Sequence, residues 1–345
     1  MKALAERLLR HLRRWVTIRD RPCTAGAAGA ALLCIGIVLV VWYFLTAGKV
    51  EDRIVGPMTL PSLGDTFSIQ SFRTLWYDEA VARGALASLG RVLGGFLLGV
   101  AVAVPLGVLA ASFRRLYAFF NPLSIFGRSI PIAALVPLTL IWFGLDETQK
   151  VMFIFLASVA FVFFDAASAV DGVSDSYLDS AYTLGARFVP GHGALWGLIC
   201  GVGYAMVFGL AYAALVGRPE EPDLAAAWYR TMAMATGGGF ALGFLLWFPI
   251  FAFQAIRKVL LPLAMPDIVN SLRLLFGLAF GYIMLAEMIN ATFGLGSIIN
   301  MCQKRGHPEQ VYLCLILITM LAFGIDRLIL MGQRWLFPYR FKEGA

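Results

Sequence analysis

Long apolar stretches separated by short polar ones dominate this chain. A membrane-crossing helix needs about 20 mostly apolar residues. Stretches that meet or approach that length are the central part of 22–48, 92–113 with a start near residue 87, 116–145, 151–170, 193–217, 231–256, 268–289 and 310–331. The third contains Pro122, Arg128, Pro131 and Pro137, which predicts a kinked or two-piece span. The pattern therefore predicts an all-α polytopic membrane protein with about eight spans.

Composition strengthens this prediction. The 345 residues are 60% hydrophobic and 14% charged, with a mean hydropathy of +0.78. Soluble domains average about 45–50% apolar and about 25% charged residues, so an ordinary soluble enzyme and a disordered chain are both excluded. The five cysteines are scattered without CxxC spacing, and we interpret them as small apolar packing residues.

The distribution of basic residues predicts the orientation. The formal net charge is +7, and seven Lys and Arg residues lie within the first 21 positions. Such a flank beside an apolar run is typical of the cytoplasmic side, and an even number of spans puts both termini there. We therefore interpret the basic N-terminal segment as a signal for membrane orientation. Its expected partner is the membrane lipid, and no nucleic acid is expected to bind.

Two short segments carry the strongest functional signal. The first reads Asp179-Ser180-Ala181-Tyr182-Thr183-Leu184-Gly185 and follows the fourth apolar stretch; the second reads Val259-Leu260-Leu261-Pro262 and follows the sixth. Together they resemble the cytoplasmic coupling loop in permease subunits of binding-protein-dependent ABC importers, whose pattern is acid-Ala-Ala, three residues, Gly, nine residues, then Ile-x-Leu-Pro. Asp179, Ala181, Gly185, Val259, Leu261 and Pro262 match this pattern, and Ser180 replaces an alanine.

Flanking motifs extend the resemblance to about residues 60–186 and 253–340. They include Ser88-Leu89-Gly90-Arg91, Arg128-Ser129-Ile130-Pro131, Ser271-Leu272-Arg273, Ala286-Glu287-Met288 and Gly294-Leu295-Gly296. Their order resembles the nitrate/sulfonate/taurine/bicarbonate branch of this family. The resemblance implies a type I permease core of six transmembrane helices that transports a small solute, such as one of these anions, by alternating access.

The same resemblance implies partners and a division of labour. The family's permeases work with ABC ATPase subunits, a second permease subunit of the same or a different kind, and an extracytoplasmic substrate-binding protein. ATP and Mg²⁺ then belong to the ATPase, because this chain lacks a GxxxxGK[ST] phosphate loop. We expect no directly bound cofactor, no metal site and no catalytic residue in this chain, which resides in the bacterial inner membrane.

The spacing of the two half-motifs departs from the family. Gly185 and Val259 are 74 positions apart, where the family pattern places ten. The spacing implies an insertion of about 64 residues that contains two apolar stretches. Two crossings bring the chain back to the side from which it started, so the second half-motif lies on the same side of the membrane as the first. The division is thus 1–48 (basic cytoplasmic N-terminus and first span), 49–86 (extracytoplasmic), 87–186 (first core half and first coupling arm), 187–252 (inserted hairpin) and 253–345 (second arm, last two spans and cytoplasmic tail).

Charged residues inside the spans are candidates for the translocation path. Intramembrane ionisable groups are costly and face protein or water-filled routes. Arg128, Arg273 and Glu287 are the residues chosen, with structural pairing as the competing interpretation for each. A secondary transporter or channel, a membrane enzyme, and a diverged regulatory or assembly subunit are the alternative functions. No inverted repeats or clustered His and acidic residues favour the first two.

Overall fold

The computed structural model describes residues 24–48, 53–216 and 222–341. The basic N-terminal flank and the centre of the acidic turn near residue 220 therefore lie outside the described residues. The helices in the described ranges are α1 (Thr24–Thr46), α2 (Leu63–Thr66), α3 (Ile69–Arg73), α4 (Val81–Ser112), α5 (Arg114–Ser129), α6 (Ile132–Phe143), α7 (Glu147–Asp171), α8 (Asp175–Thr183), α9 (Pro190–Val216), α10 (Pro222–Ala252), α11 (Leu261–Asn290), α12 (Leu295–Lys304), α13 (Pro308–Leu336) and α14 (Pro338–Phe341). Two π-helical turns cover Thr74–Asp78 and Ile256–Leu260.

Seven helices in the described part of the chain are long and apolar enough to cross a membrane: α1, α4, α7, α9, α10, α11 and α13, the sixth counted together with its preceding π turn. The predicted third span is instead a pair, α5 and α6, bent by 101°. The break lies at Ile130, which is extended (φ −69°, ψ 127°) because the following Pro131 disfavours the helical conformation. The all-α polytopic fold is confirmed, with seven spans, or eight if the bent pair forms one.

Two local elements differ from simple expectations. An amphipathic surface helix over residues 71–83 is expected from the sequence, but α3 and a π turn end before Ala80, which has φ 47°, and α4 begins at Val81. The short helix α12 follows the penultimate span. The sequence pattern does not predict it, because it contains no long apolar stretch. It begins after Gly294 (φ 149°), where a Cβ atom would lie 2.5 Å from Glu287 Cδ.

The interior contains two hydrophobic clusters. The larger one joins α4, α7, α11, α12 and α13, and includes the edge-to-face pair Phe96 and Phe276 with ring centroids 5.4 Å apart. The second cluster lies where α4 and α7 end and α11 begins, and buries Ile256 and Leu260 of the second π turn. Within a membrane, such side chains stabilise the bundle through van der Waals packing between the helices. The second cluster positions the two half-motifs.

Helices α9 and α10 form an antiparallel hairpin at the edge of the bundle. Their contact is lined by glycines: a Cβ atom at Gly193 would lie 2.6 Å from Ala252 Cβ, and one at Gly243 would lie 2.8 Å from Tyr204 Cβ. Small residues allow helix backbones to approach closely in membranes. Tyr204 also donates to the carbonyl of Ala101 in α4 and accepts from Trp247 Nε1 at 3.1 Å, which fastens the hairpin to the core.

Candidate functional site

The first half-motif forms the short helix α8 on the surface of the bundle. Asp179 and Ser180 are exposed, Ala181 is half-buried, and Leu178 packs against the second hydrophobic cluster. At the end of the helix Leu184 is 88% exposed. Tyr177 and Tyr182 of the same segment are also exposed, and several exposed apolar side chains on one short segment are typical of a contact surface.

The glycine of the motif ends this helix. Gly185 has φ 85°, and its N–H donates to the carbonyl of Tyr182 at 3.0 Å. The N–H of Ala186 donates to the carbonyl of Ala181 at 2.9 Å, which completes a Schellman motif. The positive φ favours glycine because it has no Cβ atom. Gly185 therefore turns the chain sharply from α8 toward the hairpin.

The second half-motif begins in the π turn after α10. Val259 and Leu261 are half-buried, whereas Lys258 and Pro262 are exposed. The Pro262 carbonyl accepts a hydrogen bond from the Tyr339 hydroxyl at 3.2 Å, which ties this arm to α14. The π turn also contacts α8, so the second arm lies beside the first.

Backbone pairing joins the two arms where the hairpin starts and ends. Phe188 and Phe253 form an isolated antiparallel β-bridge. The Val189 N–H donates to the Ala252 carbonyl at 2.8 Å, and the Gln254 N–H donates to the Arg187 carbonyl at 3.3 Å. The two half-motifs, separated by α9 and α10 in the sequence, are thus neighbours on one end of the bundle.

The candidate path residues lie in three different environments. The Arg128 guanidinium lies 3.5 Å above the ring of Phe164, a cation–π contact at the end of α5. Arg273 of α11 forms an ion pair with Asp326 of α13 at 3.3 Å. Glu287 is 1% exposed and lies at the end of the bundle opposite the arms.

A polar cleft opens beside α8, between α7 and α11. Its volume is about 480 Å³, and its lining includes Asp165, Ser168, Tyr177, Asp267 and Ser271. Tyr177 belongs to α8, so the cleft is continuous with the surface that carries the first half-motif. Two carboxylates, those of Asp165 and Asp267, therefore lie in its lining.

Comparison with known proteins finds a matching family model and several similar permeases. The family model described as "Binding-protein-dependent transport system inner membrane component" matches residues 103–253. Several relatives match over more than four fifths of the chain. A putative ABC transporter permease protein of Methanocaldococcus jannaschii is 25% identical, covering 84% of this chain and 84% of the relative. The taurine transport system permease protein of Escherichia coli is 24% identical (88% and 87%), and the bicarbonate transport system permease protein of Synechococcus elongatus is 22% identical (86% and 85%).

The chain is similar to the permease subunits of binding-protein-dependent ABC importers. The family predicted from the half-motifs is confirmed, and the taurine and bicarbonate relatives match the predicted branch. Among solved structures, the inward-facing MetNI methionine ABC transporter is similar, with a TM-score of 0.46 and 16% identity over 72% of this chain and 94% of that one.

At the end opposite the arms, the permease contains a buried polar network that the sequence analysis did not assemble. Arg91 Nη1 donates to Glu287 Oε1 at 2.7 Å and to the Phe293 carbonyl at 2.7 Å, and Arg91 also binds Glu147 through Nε at 2.5 Å and Nη2 at 2.9 Å. Lys150, itself buried, donates to Glu147 at 2.7 Å. Two cations therefore balance two carboxylates.

Glu287 has further partners in the permease. The Ser88 hydroxyl lies 2.7 Å and 2.8 Å from its two oxygens, and the Gly296 N–H donates to Oε2 at 2.9 Å. The network thus ties α4, α7, α11 and the start of α12 together. Opposite charges in separate apolar stretches indicate that buried ion pairs form. The sequence does not indicate which of these charges pair with each other.

Proposed function

We propose that this permease is driven by a separate ABC ATPase that contacts the joined arms, and that it moves a small solute bearing a sulfonate or similar anionic group. The observation that carries the proposal is the surface helix α8, which is followed by the exposed Leu184 and contacts the π turn of the second arm, where Lys258 is exposed. A rigid helix on the bundle surface can transmit a push from a partner to the spans. Asp179, Ser180 and Ala181 then form the first contact, and Val259, Leu261 and Pro262 support it.

A coupling role for the two arms implies the following roles for the partners of the permease. ATP and Mg²⁺ bind the ATPase, an extracytoplasmic binding protein delivers the solute, and a second permease subunit, identical or different, completes the path. The arms face the cytoplasm, where ATP is available, so both termini are cytoplasmic and the Arg91 network lies toward the outside. Exposed Arg114 and Arg115 at the arm end agree with the excess of basic residues on cytoplasmic surfaces.

The solute class follows from two observations. The relatives are named for taurine and bicarbonate, both of which carry an anionic group. The cleft beside α8 contains the carboxylates of Asp165 and Asp267 in its lining, and a cationic group can bind beside carboxylates. A zwitterion of the taurine type satisfies both, because its ammonium group can bind beside these carboxylates and its sulfonate group can bind beside a cation such as Arg128.

The test begins with the assembled complex. The tagged permease is purified from its native membrane, and the co-purifying subunits are identified by mass spectrometry. ATP hydrolysis in proteoliposomes is then measured with the binding protein and taurine, ethanesulfonate, bicarbonate or nitrate. Ethanesulfonate is the matched control because it differs from taurine by the missing ammonium group. We expect an ATPase to co-purify and taurine to stimulate hydrolysis most.

Three results would each contradict a part of the proposal. Uptake at the full rate with no nucleotide-hydrolysing subunit would indicate a secondary transporter or channel instead. An ATPase that co-purifies but shows equal stimulation by ethanesulfonate and taurine would leave the coupling role intact and remove the zwitterion assignment. An Asp179→Ala, Leu184→Ala variant that retains full ATPase binding and coupling would remove α8 from the contact.

A further inference from the structure

The hairpin insertion raises a mechanical problem for the proposed function. In an uninterrupted coupling loop, covalent continuity makes both half-motifs move together. Here α9 and α10 separate them, so a push on α8 reaches the second arm only through non-covalent contacts. The contacts that rejoin the arms are therefore central to energy coupling in this chain.

The contact region is a small aromatic cluster around the β-bridge. The Phe253 ring centroid lies 4.9 Å from that of Phe188 and 5.3 Å from that of Phe113, the latter in an edge-to-face arrangement. Phe113 is the extended residue between α4 and α5, with φ −124° and ψ 101°. The cluster thus links the first arm, the second arm and a corner of the core. We call these three residues, Phe113, Phe188 and Phe253, the clamp.

The hairpin above the clamp is closely packed. A Cβ atom at Gly201 would lie 3.1 Å from the Phe240 ring, and one at Gly239 would lie 2.9 Å from the Tyr204 carbonyl oxygen. The two helices therefore move as one body, and their joined ends at Val189 and Ala252 stay in register. A stiff hairpin with paired ends can replace the missing peptide connection.

We propose that Phe188 and Phe253 are positioning residues for coupling: by pairing at the base of the hairpin they hold the two arms as one surface against the ATPase. The proposal rests on the proposed function, because it assumes that the arms receive the push. It does not require either phenylalanine to touch the ATPase or the solute. Loss of the rings lets each arm move independently, so ATP hydrolysis continues while solute movement falls.

The test uses the full complex in proteoliposomes, in a background without the five native cysteines. Phe188→Ala and Phe253→Ala are compared with Leu195→Ala, an exposed hairpin residue without a role in the clamp. Solute moved per ATP hydrolysed is measured with whichever of taurine, ethanesulfonate, bicarbonate or nitrate stimulates the parent complex. We expect this ratio to fall at least threefold in both phenylalanine variants, with basal hydrolysis and subunit assembly retained.

A covalent replacement of the clamp separates positioning from simple structural support. Phe188 and Phe253 face each other as a non-hydrogen-bonded antiparallel pair, whose Cα atoms are typically about 4.5 Å apart and within disulfide range. The double variant F188C/F253C should be uncoupled when reduced. On oxidation the two thiols lose two electrons and two protons to added copper phenanthroline with O₂, and the disulfide should restore coupling to at least half the parent value.

A second measurement does not depend on the solute. Spin labels at exposed positions 182 and 258 report the distance between the arms in the complex, and Phe253→Ala should broaden its distribution while Leu195→Ala should not. An unchanged distribution, or coupling no lower in the phenylalanine variants than in Leu195→Ala, would overturn the clamp. Failure of oxidation to restore coupling would do the same. If the parent complex contains no ATPase, the proposed function fails first, whereas an intact arm distance in Phe253→Ala rejects the clamp alone.

Discussion

Replacing Arg91 with methionine should strongly destabilise the permease, although Arg91 lies far from the proposed coupling surface. The substitution removes the cation that binds Glu287 and Glu147 but keeps a long apolar side chain to fill the space. Glu287, 1% exposed, is then left with the Ser88 hydroxyl and the Gly296 N–H as partners. Lys150 becomes the single remaining cation of the network.

The magnitude follows from burial. Removing one partner of a buried ion pair costs about 3–5 kcal/mol, because the other charge stays buried without compensation. Arg273→Met is the matched control: it breaks the ion pair with Asp326, whose side chain is 40% exposed, and more exposed pairs contribute about 1 kcal/mol or less. The double variant R91M/E287Q should cost about 1–3 kcal/mol less than the sum of the two single variants.

The assay is reversible unfolding in mixed micelles at increasing SDS fraction, followed by tryptophan fluorescence. We expect Arg91→Met to lower the free energy of unfolding by several times as much as Arg273→Met does. Equal effects of the two substitutions would show that burial of the network does not govern its strength. Strict additivity of Arg91→Met and Glu287→Gln would show that the two side chains do not interact in the folded permease.

Three further predictions concern the hairpin, a thiol and the path. Gly193→Ala should lower the melting temperature, because its Cβ atom would lie 2.6 Å from Ala252 Cβ. Gly203→Ala is the control: a Cβ atom there would have nothing within 4 Å, so the melting temperature should stay equal or rise slightly. Equal losses in the two variants would refute the packing argument. Burial raises the pKa of Cys302 from 9.0 to about 11, so its alkylation in the folded protein, followed by mass spectrometry, should stay slow at pH 8. The Cys302 thiol ionises at a lower pH in the unfolded protein than in the folded one, so it should reduce the stability of the fold as the pH rises from 9 to 11. Rapid alkylation of the folded protein at pH 8 would contradict both expectations. Arg128→Gln should reduce taurine uptake several-fold while Arg128→Lys retains most of it, and full uptake by the Gln variant would remove Arg128 from the path.

Much of the fold was predictable because apolar length is a local property. A membrane span must satisfy its own backbone hydrogen bonds, so a stretch of about 20 apolar residues specifies a helix without knowledge of its neighbours. The broken third span shows where this reasoning stops. Pro131 predicted an interruption between 116 and 145, but the 101° bend also depends on how α5 and α6 each pack against α7.

The candidate site was predictable in part. The half-motifs gave the positions of Asp179, Gly185 and Pro262, and parity of the inserted spans predicted that both arms return to one side. Their joining at Phe188 and Phe253 was not predictable, because a two-residue bridge has no periodicity. The contributions of Arg128, Arg273 and Glu287 to a path remain predictions.

The sequence by itself determined that this protein is helical, membrane-embedded and similar to ABC importer permeases, and it predicts a divided coupling motif. Each of these properties depends on local composition, spacing or the number of crossings. Tertiary structure decided which charges meet and how the arms are joined: Arg91 lies 196 positions from Glu287, and Arg187 lies 67 from Gln254. Such pairs form because burying a charge or a backbone polar group without a partner is costly, and the packed bundle determines which partner is within reach.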